Sequence, residues 1–373
     1  MRKASCLRIS HSFLQSFIVE SRHMLICGFA GSGKTMIAVE KATRLTKQGF
    51  RTLLVCYNRF LAQDLRQRLY SQERLTISTF HEVCLRFSPQ AGLTIPEEAT
   101  ESNDYYSHFL PHTLLEALNR IQIRYDAIIV DEGQDFLDNW WTPLQLLLAD
   151  PDQGILYIFY DDNQCLYGHA PLLPLQGPPY LLTINCRTTK RIHEQIVHFY
   201  QGASTPIARG PDGTPVEFLI YERKEALQET VMRLVLKLTE EDHIPPEANL
   251  VLTPYSRKKS WLKAEQPAMG PGLDWNPSSS RQARLATIHS FKGLERPVVI
   301  LVELERWLTQ GVKGVELERL LYVGCSRARN YLLVLLPEKH AQEILPKFQP
   351  KQAVQILQEN REIGQNGEES DQR

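Results

Sequence analysis

Three short stretches of this sequence carry side chains that could do phosphate chemistry. In GFAGSGKT (28–35), Gly28, Gly31 and Gly33 precede Lys34 and Thr35. Glycines at this spacing let the backbone turn tightly and aim its N–H groups at one place, and Ser32 and Met36 flank the same turn. Lys34 could neutralise the outer phosphate oxygens of a nucleotide, and the Thr35 hydroxyl could ligate Mg²⁺. An ordinary glycine-rich turn is the alternative, but here an apolar run precedes the pattern and a helical one follows it. In AIIVDEGQD (127–135), Asp131 and Glu132 end an apolar run, where a parallel sheet opens its crevice. One carboxylate suits a metal shell, the other a hydrolytic water. In TINCRTTKRI (183–192), Arg187 stands at the tip of a strand, where it would point out of the core. Thr188 or Thr189 could cap the helix that follows.

Positioning such groups requires strands and helices in alternation. MLICG, FRTLLVCY, RLTIST, YDAIIVD and GILYIFYDD are apolar runs of strand length. KTMIAVEKATRLTKQG, RFLAQDLRQRLY and FHEVCLRF carry helical spacing between them. This pattern indicates an α/β fold with parallel sheets covered on both faces. The proline-rich HAPLLPLQGPPY (169–180) reads as a linker. Beyond it PYLLTINC, PVEFLIY, NLVLTP, ARLATIH, PVVILVEL and YLLVLLP read as further strands, with KEALQETVMRLVLKLTEE the clearest helix. The expected division is residues 1–172, residues 173–345, and a C-terminal helix with a polar, disordered tail over 346–373. LKAEQPAMGPGLDWNPSSSRQ reads as a surface loop.

Composition bounds the partners. Of 373 residues, 43% are hydrophobic and 23% charged, enough for two cores. A formal net charge of -1 supplies no global attraction to polyanions, so any nucleic-acid surface must be local. The seven cysteines are odd in number, form no CxxC pair and lie mostly in apolar runs, which favours reduced thiols over disulfides or zinc. No secretory leader and no membrane-spanning run is legible, so a cytoplasmic protein is expected.

DEGQD after GSGKT resembles superfamily 1 helicases of the UvrD/Rep type. Further motifs follow in that family's order: CYNRFLAQDLR (56–66), TISTFHEVC (76–84), FYDDNQCLYG (159–168), NCRTT, TIHSFKGLERPVVIL (287–301) and LYVGCSRAR (321–329). The resemblance implies two RecA-like P-loop domains with the ATP site in the interdomain cleft, Mg²⁺ as cofactor and single-stranded DNA as partner, with RNA also open. It implies that Gln164 senses the γ-phosphate and that Gln134 links the ATP site to the domain interface. Arg187 and Arg327 would stabilise the transferring phosphoryl group from the second domain. Glu295 would face the ribose or γ-phosphate, and Gln15 is the one candidate to read adenine. Nucleic-acid contacts would fall to Asn58, Arg59, Thr79, Phe80, His81 and Tyr167, then Thr287 and His289, with Lys292 a further candidate. Spacing alone makes Phe80 and Tyr167 core residues; the family pattern favours base stacking for Phe80 and leaves Tyr167 open.

The chain also departs from that family. Cys186 and Met36 stand where adenine would be sandwiched, which implies weak base selectivity. His169 replaces a tryptophan and Tyr160 a glycine. Only residues 85–124 separate TFHEVC from the acidic motif, and 188–286 are consumed by core elements, so the large accessory insertions are missing. These features imply a reduced motor core acting as a nucleic-acid-dependent ATPase and translocase. The alternative is a motor or nucleotide-switch subunit of a larger assembly, with any nuclease on a separate polypeptide.

Overall fold

β1 (His23–Gly28) buries its last four residues, and it can do so because parallel neighbours flank it on both sides. The computed structural model describes residues 21–69, 72–96, 104–164, 173–202, 204–305 and 315–348. By contact the chain divides into two compact units, 1–186 with 204–207, and 187–203 with 208–373.

In the first unit, β1 joins β2 (Thr52–Cys56), β3 (Leu75–Thr79), β4 (Ala127–Asp131), β5 (Ile155–Tyr160) and β6 (Tyr180–Leu182) in the order β3-β2-β4-β5-β1-β6. Every pairing is parallel. Parallel strands are joined by crossovers that cover both sheet faces, which explains the unbroken apolar runs. Helices α1 (Lys34–Lys47), α2 (Arg59–Arg68), α3 (Phe80–Phe87), α4 (Leu110–Leu118) and α5 (Asp138–Gln145) supply that cover. Leu53, Val55, Ile128 and Val130 from the strands pack with Phe80, Leu114 and Trp140 from the helices. A fully buried side chain of this size contributes about 1.5–3 kcal/mol. A single π-helical turn, Tyr105–Phe109, leads into α4.

β6 lies past the proline-rich stretch yet pairs with β1, Ile26 opposite Tyr180 and Gly28 opposite Leu182. The first unit therefore extends to Cys186, beyond the 172/173 division read from the sequence. Proline and glycine density marked a turn within the unit rather than its end.

β7 (Ile184–Asn185) and β8 (Ile207–Ala208) are two-residue strands outside both large sheets. In the second unit, β9 (Glu217–Tyr221), β10 (Asn249–Thr253), β11 (Gly272–Asp274), β12 (Gln282–Thr287), β13 (Arg296–Leu301) and β14 (Ala328–Pro337) form a parallel sheet ordered β11-β12-β10-β13-β14-β9. Helices α6 (Lys190–His198), α7 (Lys224–Glu240), α8 (Val315–Cys325) and α9 (Glu338–Ile344) accompany it. α7 buries Leu227, Val231, Val235 and Leu238, one face at helical spacing, against a core containing Val251, Leu285 and Ile300. The segment expected to be a surface loop holds the edge strand β11. Of the C-terminal helix and tail expected over 346–373, residues 349–373 lie outside the described residues. Among the described residues no helix is long and apolar enough to cross a membrane.

Candidate nucleotide site

Gly28 ends β1, and the loop after it turns through Gly31 (φ 82°) and Gly33 (φ 93°) into α1. A β-carbon on Gly28 would sit 2.5 Å from Ser32 Oγ and 3.0 Å from Leu182 Cβ, so a larger residue would have to displace the Ser32 side chain. α1 opens at Lys34, and its first N–H groups face the loop as an anion site would require. Lys34 Nζ donates to the carbonyls of Gly28 (2.7 Å) and Phe29 (3.3 Å) and lies 3.3 Å from Asp161 Oδ2.

The strand order explains what surrounds this lysine. β5 lies between β1 and β4, so the residues just past β5 fall between the phosphate loop and Asp131, the last residue of β4. Asp161 N donates to Gln134 Oε1 (3.0 Å), and Gln134 Nε2 donates to Glu132 Oε2 (2.5 Å). Gln164 Nε2 donates to Asp161 Oδ2 (2.6 Å), the oxygen that also faces Lys34. Glu132 adopts a left-handed backbone conformation, φ 58°, a strained state for a side-chain-bearing residue. Next to it, a β-carbon on Gly133 would meet Ile158 Cγ2 at 2.6 Å. The turn that carries both Glu132 and Gln134 is thus clamped against β5. The sequence reading passed over Asp161; an acid directly after an apolar strand was the signal that could have found it.

Asp131 is fully buried. Its Oδ1 accepts from Glu132 N (3.1 Å), while its Oδ2 has no hydrogen-bond partner among the described residues. Burial pushes the Asp131 carboxyl well above the usual carboxylate range and the Glu132 charge adds to it, against a hydrogen bond from Thr35 and the charge of Lys34. A buried, unpaired carboxylate oxygen beside a threonine hydroxyl fits a magnesium ion. Among the described residues no group of three or more His, Cys, Asp and Glu side chains is set to hold a metal. A cation here would complete its shell with phosphate and water oxygens, the habit of Mg²⁺.

In the second unit Arg187 Nε lies 2.6 Å from Glu295 Oε2, and Arg329 Nη1 lies 3.6 Å from Glu295 Oε1. Thr189 rather than Thr188 caps α6, accepting from Ile192 N. Arg327 is buried, with its guanidinium on the carbonyls of Val323 (3.0 Å) and Leu294 (3.2 Å) and on Ser326 Oγ (2.7 Å). In this conformation it braces the segment before β13. Arg187 and Glu295 are brought together; Arg327 reaches them through backbone.

Cys186 N donates to Gly31 O at 3.2 Å, so this residue borders the phosphate loop. It is half-buried and disulfide-bonded, which corrects the expectation of reduced thiols at that position. Cys27, Cys56, Cys84 and Cys325 are free and buried, and burial holds their thiols up. Met36 is exposed. Gln15, Tyr167 and His169 lie outside the described residues.

Several residues read as nucleic-acid contacts have local duties. The Asn58 side chain caps α2, accepting from Phe60 N and Leu61 N, while Arg59 beside it is exposed. Thr79 and Glu82 form a capping box at the start of α3. Phe80 is fully buried, its ring stacked 4.7 Å from Trp140 and edge-on to Phe136. The expectation that Phe80 offers a face to a base is corrected: its faces serve the core. His81, half-buried, lies 3.1 Å through Nε2 from the Tyr106 carbonyl oxygen, and burial lowers its pKa. In the second unit Thr287 pairs in register with Thr253, and its Oγ1 accepts from Ser290 N. His289 is half-buried with a pKa lowered by burial and then by Lys292, which is itself buried.

Residues 14–170 match the family described as an AAA domain, and residues 282–335 match the UvrD-like helicase C-terminal domain. No curated protein matches the chain.

Proposed function

We propose, on the premise that the chain belongs to the UvrD/Rep-type superfamily 1 helicase family, that it is a nucleic-acid-dependent ATPase that translocates on single-stranded DNA. The observation that carries the catalytic part is the shared oxygen Asp161 Oδ2, which faces both Lys34 and Gln164, while Asp131 Oδ2 at the end of the neighbouring strand has no hydrogen-bond partner among the described residues. Lys34, Gly31, Ser32 and Gly33 receive the phosphates, with Thr35 and Asp131 holding Mg²⁺. When bound, Mg²⁺ neutralises charge on the phosphate oxygens and orients them. Glu132 takes a proton from the attacking water, and its bond to Gln134 fixes the carboxylate that must do so. Gln164 exchanges Asp161 for the γ-phosphate and reports its presence along the same network. Arg187 leaves Glu295 to stabilise charge on the transferring phosphoryl oxygens when the two domains close.

The strand side of the reading rests on the family and on the polar turns at the carboxyl ends of the strands. Arg59, Thr287 and His289 remain its candidates, whereas Phe80 does not. The described residues of the stretch 85–124 include the end of α3, a π turn and α4, consistent with a motor core that separates long duplexes poorly alone. Steady-state ATP turnover, titrated with single-stranded DNA or RNA, tests the proposal. Stimulation by either polymer supports it, and turnover indifferent to both overturns it.

A further inference from the structure

Glu295 stands between two cations. Its Oε2 faces Arg187 Nε at 2.6 Å and its Oε1 faces Arg329 Nη1 at 3.6 Å. The segments carrying them are tied together. Thr189 N, two residues past Arg187, donates to the Arg329 carbonyl at 3.1 Å. Arg327 grips both neighbours of Glu295: its Nη1 donates to Leu294 O at 3.2 Å, and its carbonyl accepts from Arg296 N at 3.0 Å. The β13–β14 register also shifts between Arg296 and Val298, an irregularity that re-aims the chain at this point. The backbone carrying the carboxylate is therefore fixed, and the exchange of partners falls to the arginine side chains. Arg329 is poorly served: its contact to Glu295 is long, and its Nε is buried without a hydrogen-bond partner among the described residues.

We propose that Arg329 is a positioning residue that shares Glu295 with Arg187 and so sets how readily Arg187 is released to a nucleotide phosphate. The proposal rests on the reading of Arg187 as the phosphate-directed cation of the second domain. While Arg187 occupies Glu295, Arg329 waits at the other oxygen with an unsatisfied Nε. When Arg187 departs, a cation is already in place to compensate the half-buried carboxylate, which would otherwise stand unpaired. Arg329 also reduces the pull of Glu295 on Arg187 while the two are together. Both effects lower the cost of the exchange.

Single-strand-stimulated turnover of Arg329→Ala should show kcat reduced by about two- to fivefold, the range of a partly exposed ion pair, with nucleotide affinity unchanged. Arg329→Lys should recover most of the loss, because it keeps the charge. In a Glu295→Gln background, Arg329→Ala should change kcat no further, since the shared carboxylate is already neutral. An unchanged kcat in Arg329→Ala overturns the proposal. So does an equal loss of kcat in the Glu295→Gln background, which would mean that Arg329 acts through the fold. Arg187→Ala, run alongside, separates the two layers: if it leaves turnover unchanged, the reading of Arg187 fails; if it alone lowers turnover, only the role of Arg329 fails.

Discussion

Two cations proposed above to serve phosphate chemistry, Lys34 and Arg187, each rest on a carboxylate, but under different conditions. Lys34 and Asp161 have side chains 7% and 0% exposed, whereas Arg187 and Glu295 are 20% and 32% exposed. Asp161 is also held by Gln164 Nε2 and by Asn163 N, so its position is fixed by a closed hydrogen-bond network. Glu295 is divided between two arginines. A buried pair is attracted strongly but is costly to break, because either ion left alone is uncompensated. A half-exposed pair is screened and exchanges readily. The ion pair of the first unit is thus the more buried of the two, and that of the second the more exposed to solvent and to salt.

Removing each cation in turn should destabilise the two units unequally. Lys34→Ala leaves Asp161 buried without its counter-charge and should cost about 3 kcal/mol in urea denaturation, besides abolishing turnover. A loss below about 1 kcal/mol would show that the network alone satisfies Asp161.

Asp131 gives a second, pH-dependent test. Its pKa in the folded chain is raised, so it binds a proton more tightly folded than unfolded. The stability this supplies is present at pH values below the ordinary aspartate range and is lost as pH rises through the raised value. Without nucleotide and metal, the wild type should lose stability relative to Asp131→Asn between about pH 4 and the raised value of about 7, followed by thermal or urea unfolding. Parallel curves for the two proteins would remove the unpaired carboxylate from the account.

Arg187→Ala should show the smallest stability change, below about 1 kcal/mol, because its pair is partly exposed and Arg329 remains at Glu295. Its turnover should nevertheless fall at least about tenfold with nucleotide affinity retained. A stability loss matching that of Lys34→Ala would erase the distinction between the units.

Much of the first unit was readable from local pattern. The glycine spacing before Lys34 and the acids after an apolar strand are set by near neighbours in sequence, and the structure places both at the carboxyl edge of one parallel sheet. Asp161 was missed because its role depends on β5 inserting between β1 and β4, a matter of strand order that no local spacing records. Phe80 followed a family pattern, but Trp140, distant in sequence, covers its face. The family pattern gave Arg327 to the transferring phosphoryl group, whereas here its guanidinium lies on the carbonyls of Val323 and Leu294. The boundary shift from the proline-rich stretch to Cys186 has the same origin: β6 finds its partner in β1, far back along the chain. Local chemistry was legible, and long-range contact was not.

The central claim is that Glu132, held by Gln134 in a strained turn, activates water at a site that binds nucleotide independently of it. Glu132→Gln tests it most directly, with MgATP binding and single-strand-stimulated turnover measured on the same preparation. The account predicts near-wild-type binding with turnover reduced by at least about a hundredfold. Turnover close to that of the wild type, or binding and turnover lost together, would contradict it.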